Sequence, residues 1–211
     1  MLSSVRLSYL YMSSSSYISD RIIRIIFSEI SEVHDIKYYD SANVDKSSNY
    51  SVVAFEGTTP TITHSDEGYY SLNPQSGKTG GVTIPSAPTK LEVTYKQTNT
   101  SYRGGIAVTT GTGNAVCIPT DNSQPYCYIN GSWQSSANRP QKWNDDIRAT
   151  THWYTMTVEK TGTTLNISCT DLDTGVTYTG STTMKSEFEN GELCLFCSGS
   201  ASTYFKEIKA L

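Results

Sequence analysis

Polar and apolar residues alternate one by one through much of this chain. Along residues 152–160, His152, Tyr154, Met156 and Val158 fall on one side, and Trp153, Thr155, Thr157 and Glu159 on the other. Leu165, Ile167 and Cys169 then alternate with Thr164, Asn166, Ser168 and Thr170. A period of two is the pattern of strands that bury one face. Past residue 36 such segments recur, with turn residues about every eight to twelve positions, as in a two-sheet sandwich. The pattern predicts strands over residues 36–40, 50–56, 68–73, 81–84, 90–97, 104–110 and 115–118. It predicts six more over 126–129, 152–160, 163–170, 176–180, 191–198 and 203–210. Hairpin turns are expected at Thr161-Gly162, Asp173-Thr174-Gly175, Asn190-Gly191 and Asn130-Gly131, where Gly or Asn takes up positive φ. The predicted class is all-β, an antiparallel two-sheet sandwich.

The first 56 residues contain no Gly, Pro or Thr, and all three are abundant from Gly57 onward. A break of that kind marks an organisational boundary. Within the first part, Val5, Leu7, Tyr9 and Tyr11 share one face of a strand pattern, and four serines at 13–16 form a flexible link. Beyond them, helical spacing puts Ile22, Ile26, Ile30 and Val33 on one stripe, with Asp20 as N-cap. The alternative is a pair of Ile-rich strands, because β-branched side chains crowd a helix. Either element leaves an apolar stripe that needs a partner, in its own domain or in another subunit. The expected organisation is an attachment segment over residues 1–35 and a sandwich domain over 36–211.

Composition narrows the class further. Ser and Thr number 29 and 28 among 211 residues and outnumber the charged residues, which argues against a disordered acidic chain or a coiled coil. A formal charge of −4 and a pI near 5.4 argue against a nucleic-acid binder, which needs a basic face. No apolar run reaches the roughly 18 residues of a membrane span. The start, Met1-Leu2-Ser3-Ser4-Val5-Arg6, carries no secretory signal, so synthesis in a cytoplasm is expected, with assembly into a particle afterwards. Five cysteines are an odd set, so at least one is free or paired with another chain.

The last sixty residues carry a resemblance. The run from His152 to Lys160, then Gly162 to Ile167, Asp171 to Gly175, Gly191 to Leu195 and Tyr204 to Ile208 resemble the concanavalin A-like jelly-roll family, its laminin-G-like branch especially. The resemblance spans roughly residues 37–211 and implies a jelly roll of the kind used in glycan or protein recognition. It also implies that Trp153 is a packing residue. Fold membership alone does not establish function.

Several motifs have simpler readings than the chemistry they suggest. Gly77-Lys78-Thr79 lacks the upstream glycine and the strand–loop–helix setting of a phosphate loop. Cys194 and Cys197, three apart on a strand, point to opposite faces and cannot share a metal ion without a bulge. Glu187, Glu189 and Glu192 resemble a jelly-roll hydrolase strand, but Asn190-Gly191 interrupts it. Tyr204-Phe205-Lys206 echoes the jelly-roll alginate lyases without their companion strands. His34, His64 and His152 lie far apart in sequence and offer no triad and no zinc spacing. No cofactor or metal is therefore expected. The oxygen-rich segments Asp171-Leu172-Asp173 and Asn144-Asp145-Asp146 are the ones suited to calcium, and each is more simply a turn.

Residues 126–148 read differently. Tyr126, Tyr128, Asn130, Trp133, Arg139, Trp143, Asn144 and Asp145 combine flat aromatic faces with amide, carboxylate and guanidinium groups, the mixture that sugar recognition uses. The expected site is an exposed platform of Trp133 with Tyr126 and Tyr128. The expected function is that of a non-enzymatic virion protein, a fibre, tail or capsid decoration subunit recognising a surface glycan. Residues 1–35 would dock it to other virion subunits, and a homo-oligomer is compatible with that role. The alternatives are a jelly-roll glycoside hydrolase or polysaccharide lyase, and a cellular adhesin module at the cell surface.

Overall fold

The structure is a computed structural model describing residues 38–40 and 49–211, apart from 76, 101–102, 121–123 and 149. The strand and the Ile-rich stripe expected within residues 1–35 lie outside these residues.

Alternation sorts each strand's residues between two faces. In Trp153–Thr161, Tyr154, Met156 and Val158 are buried and the residues between them are not. Fifteen strands are present among the described residues. The first eight are β1 (Tyr38–Asp40), β2 (Ser51–Glu56), β3 (Thr61–His64), β4 (Tyr70–Asn73), β5 (Thr79–Thr83), β6 (Lys90–Gln97), β7 (Gly104–Gly111) and β8 (Asn114–Ile118). The remainder are β9 (Tyr126–Ile129), β10 (Ser132–Trp133), β11 (Trp153–Thr161), β12 (Thr164–Asp171), β13 (Thr177–Thr183), β14 (Glu192–Ser198) and β15 (Thr203–Ala210).

They form two antiparallel sheets, a jelly-roll sandwich. One sheet has eight strands, in the order β13-β12-β11-β6-β15-β4-β3, with β1 also on β15. β4 pairs with Thr203–Phe205 and β1 with Ile208–Ala210, so the two lie end to end along one side of β15. The change of partner falls at a bulge, where Glu207 adopts φ 52°. The other sheet runs β10-β9-β8-β7-β14-β5-β2.

Leu91, Val93, Tyr95, Met156 and Val158 from the first sheet meet Val82, Ile106, Val108, Leu193 and Leu195 from the second, and this layer is the main core. A second cluster lies on the other face of the seven-stranded sheet and contains Val53, Phe55, Ala107, Cys117, Tyr126, Tyr128, Cys194 and Phe196. That sheet curls until its margins meet. Tyr128 Oη on β9 lies 2.8 Å from Thr79 Oγ1 on β5, with three strands between them, and Gly113 N donates to Ala54 O on β2 at 2.8 Å. Small residues leave room for the closure: a Cβ at Gly81 would stand 2.7 Å from Phe55 Cζ.

Most of the expected strands are present, with ends displaced by a residue or two. Two strands were not expected. β3 (Thr-Ile-Thr-His) contains one aliphatic residue and follows Pro60, and β10 is two residues that close a hairpin. Asn130 (φ 51°) and Gly131 (φ 75°) make the expected tight turn. Asn190-Gly191 is a correction. It follows the 3-10 turn Ser186–Phe188, and Gly191 is required for close approach instead of positive φ, since a Cβ there would meet Val108 Cγ1 at 2.6 Å. All five cysteines are free and buried, with Cys194 in the concave cluster and Cys197 in the main core.

Candidate functional site

The site grows from the β9–β10 hairpin. Asn130 N donates to Asn114 Oδ1 at 3.0 Å, and Gly131 N to Gly113 O at 2.9 Å, which anchors the turn on the β7–β8 turn. β10 then runs back along β9 and sets Trp133 opposite Tyr128. Gln134 N donates to Cys127 O, and a 3-10 turn, Ser136–Asn138, reverses the chain. Arg139 Nε donates to Gln134 O at 2.9 Å, and its guanidinium lies 3.8 Å from the centre of the Trp133 ring. The indole is 50% exposed and held under a cation.

Beside this pair a groove of about 440 Å³ runs between Arg139, Gln141 and Lys142 on one wall and Ser181 and Thr183 of β13 on the other. Thr182 Oγ1 donates to Gln141 O at 2.9 Å and pins the walls together. The groove therefore offers a guanidinium, an ammonium, an amide and hydroxyls, and Arg139 links it to the Trp133 ring. Those groups bind sugar hydroxyls and ring C–H faces.

The other expected ligand residues divide in two. Tyr126 and Tyr128 do not form an exposed platform with Trp133: they are 1% and 4% exposed, inside the concave cluster. Tyr126 packs edge-on against Phe196, with the Arg103 guanidinium 5.1 Å from its ring. Burial pushes the Tyr128 phenol up to about 12, partly offset by its bond to Thr79. Trp143 is likewise a packing residue, 5% exposed and seated over Gly180. Asn144 and Asp145 build the loop that carries the groove. Asn144 Nδ2 donates to Thr179 O and its Oδ1 accepts from Asp146 N, while the Asp145 carboxylate lies 3.3 Å from Lys142 Nζ. Asn130 serves in the anchored turn. The sequence reading missed Lys142, which is in the same loop as Arg139, and Ser181 and Thr183, whose partnership with Arg139 arises only because β13 is the sheet edge nearest that loop.

Trp153 corrects the implication of the resemblance. It is half-buried on the outer face of the eight-stranded sheet, not in the core. Next to it, His152, Asp171 and Asp173 bring three ligand atoms within 4.8 Å of one another. The group does not fit calcium, which wants oxygen ligands. Its donors are also committed: Asp171 Oδ1 accepts from Asp173 N and Thr174 N, and Asp173 Oδ2 accepts from Trp153 N. His152 Nδ1 sits 2.9 Å from Asp171 Oδ2, and that bond raises the imidazole pKa. Burial pushes the Asp171 carboxyl up, but the imidazole and two backbone N–H groups outweigh it and hold the carboxyl low.

The pair's stabilisation is thus lost as pH rises through the raised His152 value, and lost again as pH falls through the depressed Asp171 value. His152→Gln is expected to lower the melting temperature more at about pH 5.5 than at about pH 8.5. Equal losses at both would show that the pair carries no charge-linked stability.

No protein-family model and no curated protein matches the sequence. Solved structures match its fold. Arcelin-5, a lectin-like defence protein from Phaseolus vulgaris, superposes with a TM-score of 0.53 over 82% of this chain and 95% of its own, at 12% identity. The likeness is one of fold. The GH43 BlXynB protein from Bacillus licheniformis matches with the same score over 84% of this chain but 40% of its own, at 11% identity.

Proposed function

We propose that this protein is a non-catalytic glycan-recognition module that holds a sugar ring against Trp133 and its hydroxyl groups in the neighbouring groove. The observation that carries this reading is the Trp133–Arg139 pair. It is a half-exposed indole fixed by a guanidinium at 3.8 Å, and the same Arg139 lines a groove with an amide, an ammonium and hydroxyls. The guanidinium covers part of the ring, and the other half stays open to solvent. The arcelin-5 fold, in a protein described as lectin-like, supports the same reading.

The setting we propose is a virion fibre, tail or decoration subunit, with residues 1–35 docking to other subunits. The composition break at residue 56 motivates it. A chain lacking residues 1–35 that still folds but no longer joins its assembly is the expected result, and one that fails to fold would place the segment in the core.

The GH43 match makes a hydrolase the rival reading. That chemistry needs two carboxylates facing one cleft, about 5–9.5 Å apart. Glu187 lies in a 3-10 turn, Glu189 directly follows it, and Glu192 opens β14, so the three do not sit on one strand. Polysaccharide cleavage that disappears when all three become Gln would favour the rival.

Trp133→Ala tests recognition directly. Aromatic contacts of this type contribute roughly 0.5–1.5 kcal/mol beyond burial, so binding on a glycan array should weaken by about two- to tenfold. The melting temperature should stay nearly unchanged, because the ring is half in solvent. A variant that unfolds would make Trp133 structural.

A further inference from the structure

A second indole lies under cations. Alternation along β11 turns Trp153, Thr155 and Thr157 to the outer face of the eight-stranded sheet. In the register Trp153 stands beside Lys96 of β6, and Lys96 beside Tyr204 of β15. Lys206, two residues beyond Tyr204, projects from the same face. Its Nζ lies 4.3 Å from the centre of the Trp153 ring, and Lys96 Nζ lies 5.9 Å from it. Two ammonium groups converge on one ring.

Neighbouring rows show how this sheet otherwise treats a lysine. Glu92 takes Lys209 at 2.8 Å, and Glu159 takes Lys90 at 3.5 Å. Among the described residues, neither Lys96 nor Lys206 has a carboxylate within ion-pair distance. Two acids close by are engaged elsewhere: Glu207 Oε2 accepts from Thr94 Oγ1, and Asp173 Oδ2 from Trp153 N. The indole face attracts both cations, but such attraction is weak where solvent reaches, and like charges brought together repel. Each ammonium retains N–H donors for a ligand. What the cluster lacks is an anion.

We propose that Lys96, Lys206 and Trp153 form a site for the acidic substituent of a polysaccharide, a uronate carboxylate or a sulfate ester. Two cations on one ring suit a single anionic group, whereas a nucleic-acid backbone demands an extended basic stripe. In the register Tyr204 stands beside Lys96, and its hydroxyl serves the sugar that bears the group, while Thr155 Oγ1 is held by Thr94 Oγ1 at 3.0 Å. The site shares no residue with the Trp133 groove and does not depend on it.

The test is titration calorimetry of the full chain with heparin, polygalacturonate, dextran and a single-stranded oligonucleotide, at low salt and at about 150 mM salt. The wild type is expected to bind heparin or polygalacturonate but not dextran, and to bind more weakly as salt rises. Lys96→Gln with Lys206→Gln should reduce that affinity at least about tenfold, as loss of direct charge contacts does. Trp133→Ala should retain it, and equal melting temperatures confirm that each variant is folded. Loss of acidic binding in Trp133→Ala but not in the lysine variant would overturn the proposal and assign the acid group to the groove. It is overturned equally if the wild type binds neither acidic probe at low salt. Equally tight binding of the oligonucleotide, lost in the same lysine variant, would also overturn it and mark a general polyanion contact.

Discussion

Gly180→Ala is expected to destabilise the domain sharply and to open the groove. A Cβ at Gly180 would stand 1.8 Å from the carbonyl oxygen of Trp143 and 2.8 Å from its carbonyl carbon. Both offending atoms belong to the backbone, so no side-chain rotation relieves the clash. Either β13 or the segment around Trp143 must move. Overpacking of a filled site costs typically about 1–3 kcal/mol, and a backbone-on-backbone collision belongs at the upper end or beyond. The displaced segment also carries Gln141 and Lys142, so the groove wall goes with it. Thermal denaturation together with a shift in tryptophan emission reports both effects. An unchanged melting temperature and unchanged emission would mean that Trp143 does not rest on β13 as described.

Phe196→Ala is expected to cost about 3–5 kcal/mol, the range for deleting a buried aromatic ring. Phe196 is fully buried, yet it lies on the face of its sheet that points away from the main core. Tyr126 meets it edge-on at 6.0 Å, and Phe55, Cys194 and Tyr128 belong to the same cluster. If the curled sheet encloses a second core, removing this ring leaves a cavity that its rigid neighbours cannot fill. Urea denaturation should show a lower midpoint with an unchanged slope. A loss below about 1 kcal/mol, the level of an ordinary surface change, would show that the concave face is open.

That concave core explains where sequence reading succeeded and where it stopped. Alternation places Tyr126 and Tyr128 on one face of β9 correctly, because a period of two is local. It cannot say whether that face meets water. The answer depends on β2 and β5, which are far away in sequence and come close only when the sheet curls. The two tyrosines and Trp133 do share a face, as expected, but only the tryptophan lies at the margin. β11 and β12 were legible because their long runs alternate strictly. β3 was not, since Ile62 alone signals an apolar side. In the candidate site, Trp133 and Arg139 were visible as residue types within one segment. Ser181 and Thr183 were not, because their role comes from sheet order and not from sequence distance.

Glycan recognition at Trp133 is most directly tested by following the indole N–H signals of the three tryptophans by NMR during titration with a panel of oligosaccharides. A bound sugar is expected to shift the Trp133 signal and the Arg139 Nε–H signal together, and to leave buried Trp143 in place. Saturating shifts confined to Trp143 or to the concave cluster, or no shift of Trp133 with any sugar that binds, would contradict the account.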